Sequence, residues 1–501
     1  MIKTKSKHKF HFKMLSAFSI LMIIIAALVI ISWFLKWSGV STKVNNQNTN
    51  IEAMGIFDIF WAPIKGFIGK ADILIFILIL GSFITIVVSS KALEGFSQGI
   101  TRKMKGKEIW AIIPLMTFFS ICGTTEGMAE ESLGFYLICI PLMIAAGFDK
   151  WVGFLIVMLG AGVGVLASTV NPFLIGVAIN GIKDIKTSVG DGLVWRIVSW
   201  LVLTTISITF VIIYAYKIKR NPQKSCFFKT LEEDKKFFLS EKIEKIEMNG
   251  RRKTTIIIFF LVLTFMICYL VNWDAIFKTD IMERFGKNVI INFPYLTGKA
   301  DGFGHGGLDI VAAMFLIGSI VLGIVNGLGE DKFIKEFLLG ASDILSVCLI
   351  IATAAGVGFI LTTSHMQELF VNGLANSVGN MGNSIVILMV LFIAFLPLSF
   401  LIPSTSGFAT AVIPLLQGVM AKDPNVLTSG IITAFSFACG ILNLFTPTSG
   451  VVMGAISIAK IDYGQYLKNM WKIILILTLA SFALLLIGGA ISGIKGAENI
   501  A

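Results

Sequence analysis

The sequence predicts an all-α polytopic membrane protein in which two inverted repeats each contain a re-entrant hairpin and a broken helix. Its 501 residues are 56% hydrophobic and 14% charged, whereas soluble proteins carry about 25% charged residues. Apolar stretches of about 20 residues, the length that crosses a bilayer, recur along the chain. Two of them are interrupted at matched positions by proline and hydroxyl residues. This composition excludes a string of soluble domains.

The basic residues predict the orientation of the chain. The net charge is +11, and the basic excess lies in residues 1–13, 91–108 and 217–253. Because membrane proteins concentrate lysine and arginine in cytoplasmic loops, we expect these stretches and the N-terminus on the cytoplasmic side of the inner cell membrane. The expected environment is therefore a lipid bilayer, and the net charge gives no reason to expect a nucleic-acid partner.

With the basic stretches inside, the apolar segments alternate across the membrane. The predicted spans are 14–35, 71–90, 151–181, 194–216, 254–272, 308–326, 340–362, 425–456 and 469–490. The predicted units are a cytoplasmic basic tail (1–13), a first repeat unit (14–216), a cytoplasmic linker (217–253), a linking span (254–272) and a second repeat unit (308–490). Hydrophobic residues within 227–247 fit either a helix on the lipid surface or a solvated linker.

Two apolar stretches, 109–147 and 383–420, do not fit this alternation. Each is long enough for two spans joined by a tight turn, which is one interpretation. The other is a re-entrant hairpin whose tip lies inside the membrane. The centres of the stretches, 123–131 and 402–407, hold a charge cluster and a Ser/Thr run. Because polar, non-helical backbone is tolerated at membrane depth where it lines a cavity, we expect two hairpins.

An internal repeat relates the two halves. Asp72 and Asp343 lie in similar short motifs at the start of two spans, and each span precedes one of the hairpins. Each hairpin is followed by a span with a proline at its middle, Pro172 in the first half and Pro447 in the second. Proline lacks the amide donor of a helix, so both spans are predicted to break there. The first unit starts inward and the second outward, which makes the repeats inverted.

The breaks and the hairpin centres supply candidate binding groups. Broken helices expose N-termini that attract anions and carbonyls that coordinate cations, including a monovalent coupling ion. The alternative at each break is a packing kink whose backbone is satisfied by hydroxyl groups. Glu126, Glu130 and Glu131 are the only charged residues between Glu108 and Asp149. Intramembrane carboxylates are costly and usually functional, although Glu126 and Glu130 would also complement a helix N-terminus.

Several kinds of chemistry are not indicated. The six cysteines are scattered and the four histidines lack metal-ligand spacing, so we expect no metal centre and no other cofactor. No Gly-Lys pair is followed by Ser or Thr, so the sequence contains no P-loop for ATP hydrolysis. No predicted core span contains a histidine that could serve as a catalytic base. We therefore expect a protein that is not an enzyme.

Several motifs resemble those of a known group. The run 123–132 (Gly-Thr-Thr-Glu-Gly-Met-Ala-Glu-Glu-Ser), the runs 168–172, 402–407 and 447–450, and the downstream run 459–464 resemble the YfcC family of bacterial membrane carriers. This family is similar to the anaerobic four-carbon dicarboxylate carriers and to arginine/ornithine exchangers, within the ion transporter superfamily. The resemblance implies a homodimeric secondary transporter whose hairpin tips and breaks bind a small-molecule substrate and a coupling ion (Na⁺ or H⁺) or counter-substrate.

The binding positions of the family fall on residues of both halves. Together with Glu130 from the charge pattern, the predicted binding residues are Thr124, Thr125, Glu126, Ser168, Thr169, Asn171, Ser404, Thr405, Ser406, Thr446, Thr448 and Ser449. The Ser-Asn-Thr tip signature of sodium-dicarboxylate members is absent, and these regions contain no lysine or arginine. A cationic group would find Glu126 or Glu130, which favours amino acids, above all basic ones exchanged in the arginine/ornithine manner. A four-carbon dicarboxylate is the alternative substrate, and a channel or the membrane subunit of a larger complex is the alternative class.

Overall fold

The structure is a computed structural model that describes residues 17–44, 47–92, 95–96, 99, 107–129, 132–182, 185, 187, 190–239, 247–270, 280–298, 308–402 and 404–498. The first half contains α1 (Ala17–Trp37), β1 (Ser41–Val44), β2 (Gln47–Asn50), α2 (Ile56–Gly69), α3 (Ala71–Ser89), a 3-10 turn (Glu108–Ala111), α4 (Ile112–Glu126), α5 (Leu133–Ala145), α6 (Lys150–Leu166), a π-helical turn (Pro172–Gly176), α7 (Val177–Asn180) and α8 (Leu193–Arg220).

The middle of the chain contains two 3-10 turns (Pro222–Lys224 and Phe228–Thr230), α9 (Leu231–Phe238), α10 (Gly250–Leu270), α11 (Ile281–Asn292) and α12 (Pro294–Thr297). The second half contains α13 (Leu308–Val325), α14 (Glu330–Thr363), α15 (Met366–Gly379), α16 (Ser384–Leu401), α17 (Thr405–Val412), a 3-10 turn (Pro414–Leu416), α18 (Gln417–Met420), α19 (Pro424–Asn443), α20 (Gly450–Ile458) and α21 (Tyr463–Glu498).

The predicted helical membrane architecture is confirmed. Within the described ranges, nine helices are long and apolar enough to cross a membrane, at Phe18–Trp37, Ala71–Ser89, Glu108–Thr125, Leu193–Arg220, Leu308–Val325, Glu330–Thr363, Ser384–Leu401, Pro424–Asn443 and Tyr463–Ile491. The predicted spans 151–181 and 425–456 each consist of two shorter helices, because the chain is interrupted after Leu166 and after Asn443. The first arm of each expected hairpin is itself long enough to cross, whereas the second arms are shorter.

One element is not helical. β1 and β2 form an antiparallel ribbon in which Ser41 pairs with Asn50 and Val44 pairs with Gln47. The ribbon lies against α15, where the Asn372 amide donates to the Thr42 hydroxyl at 3.0 Å. The all-helical prediction missed this ribbon because its polar strands are short and lie outside the apolar segments.

Helix α14 packs along α2 and α3 to form one group of helices. A Cβ built on Gly66 would lie 2.0 Å from the carbonyl oxygen of Ala352, and one on Gly81 would lie 2.8 Å from that of Gly340. Backbone contacts this close require residues without a Cβ, and small residues are what let membrane helices approach each other. α13 packs on the same group through α3.

A second group surrounds α6. A Cβ on Gly160 would lie 2.8 Å from Phe119 Cβ, and one on Gly164 would lie 2.4 Å from the carbonyl oxygen of Ser120, so α4 runs parallel to α6. α5 runs back along α6, with the Tyr136 and Phe154 rings 5.3 Å apart. Segment 109–147 therefore leaves and rejoins the same end of α6.

The second half repeats this arrangement around α19. The Phe395 and Phe435 rings lie 5.5 Å apart, and Leu388 contacts Gly430, so α16 runs parallel to α19. The Phe408 ring of α17 also contacts Phe435, at 5.0 Å, as the chain turns back. In both halves the first arm of the expected hairpin is parallel to the broken helix that follows it.

The segment 221–239 docks on the start of α6. Buried Lys150 donates to Asp234 Oδ1 at 2.9 Å, and both side chains are less than a tenth exposed. Neighbouring Asp149 accepts hydrogen bonds from Tyr214 (2.6 Å) and Ser225 (2.5 Å). Neither sequence interpretation of this segment, a helix on lipid or a solvated linker, included such a buried contact with the helix bundle.

Candidate functional site

The two interrupted helices cross where they break. A Cβ on Gly440 of α19 would lie 2.2 Å from Leu166 Cα of α6, and one on Gly162 would lie 2.5 Å from the side chain of Leu444. The Ser436 hydroxyl also donates to the Leu166 carbonyl at 2.9 Å. The later residue of α6, Leu166, meets the earlier position Gly440, whereas the earlier Gly162 meets the later Leu444, so α6 and α19 are antiparallel. Both breaks consequently lie at the centre of the same group of helices.

The first hairpin tip is bonded to the first break. The Thr124 hydroxyl donates to the Ala167 carbonyl at 2.6 Å. The amide and the hydroxyl of Thr169 both donate to the Thr124 carbonyl, at 2.9 and 3.1 Å. All three groups are buried, and buried hydrogen bonds of this kind each contribute about 1 kcal/mol. These bonds hold the tip of α4 against the end of α6.

Asn171 connects this break to the neighbouring turn. Its amide nitrogen donates to the Ser168 hydroxyl at 3.0 Å, and its amide oxygen accepts from the Phe173 amide at 2.9 Å. Gly127 ends α4 with a φ of +79°, and a Cβ there would lie 2.6 Å from the Asn171 side chain. A glycine is therefore required at position 127 by both the backbone conformation and the space.

The second hairpin tip presents a helix N-terminus. Ser404 caps α17, accepting a hydrogen bond from the Gly407 amide at 3.2 Å. The Asn443 amide at the end of α19 donates to the Thr405 hydroxyl at 3.2 Å, so this tip also meets its break. Because amide groups at a helix N-terminus have no intrahelical partner, α17 offers donors and a positive dipole end at this position.

The second break presents another N-terminus. Ser449 caps α20, accepting from the Val452 amide at 3.4 Å, and the hydroxyls of Thr446 and Thr448 lie 2.7 Å apart. Tyr463 donates to the Phe445 carbonyl at 2.7 Å, which satisfies backbone that the break leaves without a helical partner. Backbone hydrogen bonds within the break, from Thr446 to Leu442 at 2.8 Å and from Ser449 to Thr446 at 3.1 Å, and the Tyr463 hydroxyl of α21 together hold its conformation.

A cavity of about 710 Å³ lies between the two tips and α14. Volumes of 300–1,000 Å³ are typical of small-molecule sites. The predicted residues that line it are Asn171, Ser404, Thr405, Ser406, Thr448 and Ser449. Five predicted residues have described side chains but are not among its lining residues, namely Thr124, Thr125, Ser168, Thr169 and Thr446. The side chains of Glu126 and Pro172 and the whole of Glu130 and Glu131 lie outside the described part of the structure.

The charges around this cavity are few. Among the described lining residues, Lys70 and Asp72 are the charged ones, and they lie two positions apart at the α2–α3 junction. Gly127, Ala129 and Ser132 also line the cavity. In the sequence these three residues flank Glu126, Glu130 and Glu131. In the described ranges, no group of three His, Cys, Asp or Glu residues could hold a metal ion.

Sequence reasoning missed several lining residues. Asn443, Ser132, Tyr136 and Gln367 also line the cavity. Asn443 was detectable in principle, because it is an amide residue in the second interrupted run. Ser132 and Tyr136 lie one helical turn apart on the second arm of the first hairpin, a spacing that places them on one face.

Comparison with known proteins places the chain in a family. The family model described as "DcuC: C4-dicarboxylate anaerobic carrier" matches residues 14–489. A protein of Escherichia coli (strain K12) named "Putative basic amino acid antiporter YfcC" is 27% identical over 408 residues, which cover 79% of this chain and 73% of that protein. An uncharacterised protein of Haemophilus influenzae is 26% identical over 435 residues, covering 86% and 78%.

Two solved structures are also similar. The YdaH transporter of Alcanivorax borkumensis has a TM-score of 0.47 and 14% identity, covering 96% of this chain and 99% of that one. Neisseria gonorrhoeae MtrF, described as one of a class of antimetabolite efflux pumps, has a TM-score of 0.42 and 16% identity, with 95% of each chain covered. Because the family model extends over nearly the whole sequence, the chain belongs to the DcuC family of C4-dicarboxylate anaerobic carriers and is a membrane transporter rather than an enzyme.

Proposed function

We propose that this carrier exchanges basic amino acids of the arginine/ornithine type. The observation that carries the proposal is the uneven distribution of charge around the cavity. Its wall at the first hairpin tip is made by the sequence neighbours of Glu126, Glu130 and Glu131, whereas the described wall at the second tip carries neutral hydroxyl groups. The one basic residue in the described lining, Lys70, lies beside Asp72. A site with this distribution of charge would bind a cationic group more favourably than a second carboxylate.

The α-carboxylate of an amino acid would bind at the opposite side of the cavity. The N-termini of α17 and α20 both reach the lining, through Ser404 and Ser449. Free amide groups and the helix dipole together make such N-termini anion sites. A zwitterion with a cationic side chain would then place its negative end at these helices and its positive charges towards the first tip.

A four-carbon dicarboxylate is the second candidate, and a specific observation favours it. Two capped helix N-termini border one cavity, and each of them could hold one carboxylate. The family description also names dicarboxylates. The two candidates therefore differ in what binds at the first tip, where only the amino acid places positive charge.

The transport mechanism that we propose is alternating access between two inverted repeat units with re-entrant hairpins. The 13 residues of α5 extend over about 20 Å, less than the roughly 30 Å hydrocarbon core. The tip contacts Ala167, partway along the 150–180 segment. Together these observations support a tip inside the bilayer. We further propose an inner-membrane homodimer with a cytoplasmic N-terminus that couples transport to Na⁺, H⁺ or a counter-substrate.

Counterflow in proteoliposomes distinguishes the substrates. Purified protein is reconstituted with unlabelled arginine or succinate inside, and uptake of labelled arginine, ornithine or succinate is measured. We expect saturable exchange of arginine with ornithine that succinate does not inhibit. Succinate counterflow without any arginine exchange would replace the first candidate by the second, and uptake that does not saturate would indicate a channel.

A further inference from the structure

The backbone of the second break lacks its usual hydrogen-bond donors. α19 ends at Asn443, and the last carbonyls of a helix have no partner within it. In a continuous helix, residues three or four positions further on would supply the donors, but Pro447 has no amide hydrogen. The carbonyl of Leu444 therefore cannot accept a hydrogen bond from the residue three positions later.

The two amides that follow this proline bond elsewhere. The Thr448 amide donates to the Thr446 hydroxyl at 3.3 Å, and the Ser449 amide donates to the Thr446 carbonyl at 3.1 Å. In a continuous helix these amides would donate to the carbonyls of Leu444 and Phe445. Both carbonyls consequently depend on donors from outside the break.

Two tyrosines at the start of α21 supply these donors. The Tyr463 hydroxyl donates to the Phe445 carbonyl at 2.7 Å, and the Tyr466 hydroxyl donates to the Leu444 carbonyl. Tyr466 is fully buried, and its ring lies 5.7 Å from the Phe154 ring of α6. A helix of the first half thus packs against a side chain that bonds the break of the second half.

A tight turn between α20 and α21 sets the place of these tyrosines. Lys460 has a φ of +51°, a left-handed conformation that is uncommon outside glycine. Its carbonyl accepts a hydrogen bond from the Lys150 ammonium at 3.0 Å, and the Ile461 amide donates back to the Ile456 carbonyl at 2.8 Å. These bonds fix the run 459–464, which belongs to the carrier-like motifs of the sequence although none of its described residues lines the cavity.

We propose that Tyr463 and Tyr466 are positioning residues that hold the second break in the conformation in which it binds substrate. Thr448 and Ser449 of the break line the cavity, whereas neither tyrosine is among the described lining residues. Without the tyrosine bonds, substrate binding must also order the break, and such ordering reduces affinity. This inference rests on the proposed function, which takes the cavity as the substrate site, and it adds residues that set affinity without touching the substrate.

The first variant is Tyr463→Phe, which keeps the ring and removes the hydroxyl. Counterflow of labelled arginine gives KM and the maximal rate, and purified protein in detergent gives the thermal midpoint. We expect KM to rise about five- to tenfold and the maximal rate to change less than about twofold, the effect of one buried hydrogen bond on binding. Tyr466→Phe is expected to act in the same direction, and if it does not purify in folded form, the half-buried Tyr463 decides the test.

Tyr214→Phe is the matched control. It removes a tyrosine hydroxyl that donates to Asp149 at 2.6 Å, a bond that involves neither the break nor residues 459–464. We expect a lower thermal midpoint with KM within about twofold of the wild type, because neither residue is in the described lining of the cavity. A rise in KM confined to the Tyr463 and Tyr466 variants then reports the position of the break rather than a general loss of stability.

Pairs of variants show through which residues Tyr463 acts. Tyr463→Phe is combined with Ser449→Ala in the break and, separately, with Ser404→Ala at the second hairpin tip. If Tyr463 positions the break, the first pair should raise KM less than the product of the two single effects, by about threefold or more, because both changes disturb one bonded unit. The second pair should multiply, because Ser404 belongs to a different element.

The outcomes separate this inference from the function on which it rests. If the wild-type protein exchanges arginine but Tyr463→Phe leaves KM unchanged, the positioning role is overturned and the function stands. An equal rise in KM in Tyr214→Phe, or effects that multiply in both pairs, also overturns the role. Wild-type exchange of succinate alone overturns the proposed substrate, and the same comparison of KM values with labelled succinate then decides the positioning role.

Discussion

Replacing Gly440 by alanine tests the crossing that brings the two breaks together. The added Cβ would lie 2.2 Å from Leu166 Cα, 2.6 Å from Leu166 Cβ and 2.9 Å from its backbone nitrogen, whereas ordinary contacts are 3.4–4 Å. Two of the three atoms belong to the backbone, so no side-chain rotation relieves the clash. The helices α6 and α19 must therefore separate by roughly 1 Å, which also stretches the hydrogen bond from Ser436 to the Leu166 carbonyl.

The expected cost follows from these contacts. Overpacking of a tight interior costs about 1–3 kcal/mol, and weakening the Ser436 bond adds about 1 kcal/mol. A loss of about 2–4 kcal/mol is a large part of the 5–15 kcal/mol that stabilises a typical domain. We expect Gly440→Ala to lower the thermal midpoint in detergent and to reduce counterflow in proteoliposomes at equal protein content.

The control is Gly418→Ala, because a Cβ built on Gly418 has no atom within 4 Å. This variant is expected to match the wild-type protein in both assays. If Gly440→Ala also matches the wild type in midpoint and in transport, α6 and α19 do not cross at Gly440, and the reasoning that places both breaks in one site is refuted.

Three further predictions concern charged groups. Asp234→Asn leaves the Lys150 ammonium buried without its anion and should lower the free energy of unfolding by about 3–5 kcal/mol. The double variant Lys150→Met with Asp234→Leu should recover most of this stability when thermal midpoints are compared; equal instability of the single and double variants would contradict the prediction. Burial raises the pKa of Asp149, which favours the neutral form of this carboxyl in the folded state. The thermal midpoint of Asp149→Asn relative to the wild type should therefore rise as pH increases through that pKa and fall as pH decreases. The opposite slope would show that ionised Asp149 stabilises the fold. Glu126→Gln should reduce arginine exchange more than it reduces folded protein, unlike Glu283→Gln on α11, and equal losses of both would support a helix-terminus role.

The spans were predictable because hydropathy is a local property of the chain. The prediction 71–90 corresponds to Ala71–Ser89, and 308–326 corresponds to Leu308–Val325. Proline also marks both breaks, since it removes a helical donor wherever the segment lies. Contacts between buried residues that are distant in the sequence are not a local property and were not predictable in this way. Lys150 and Asp234 are 84 positions apart, and nothing in either neighbourhood indicates that the two pair.

The binding residues were only partly predictable for a related reason. Thr124 and Thr405 look equivalent, since each lies in a polar hairpin centre within an apolar frame. In the structure the Thr124 hydroxyl donates to a backbone carbonyl of the first break, whereas Thr405 lines the cavity. A hydroxyl at a helix break either forms a hydrogen bond with the backbone or faces a ligand. Which of the two it does depends on tertiary packing, and the sequence pattern does not encode that packing.

The two halves share a backbone arrangement but use their polar residues differently, and this difference bears on the substrate. In the first half the hydroxyls of Thr124 and Thr169 are engaged in joining the tip to the break. In the second half Ser404 and Ser449 cap helices whose N-termini reach the cavity. A dicarboxylate has two like ends and would be matched by two like walls. The cavity instead has one wall at helix N-termini and another made by the sequence neighbours of Glu126, Glu130 and Glu131, and our proposal of a substrate whose two ends differ in charge rests on this asymmetry.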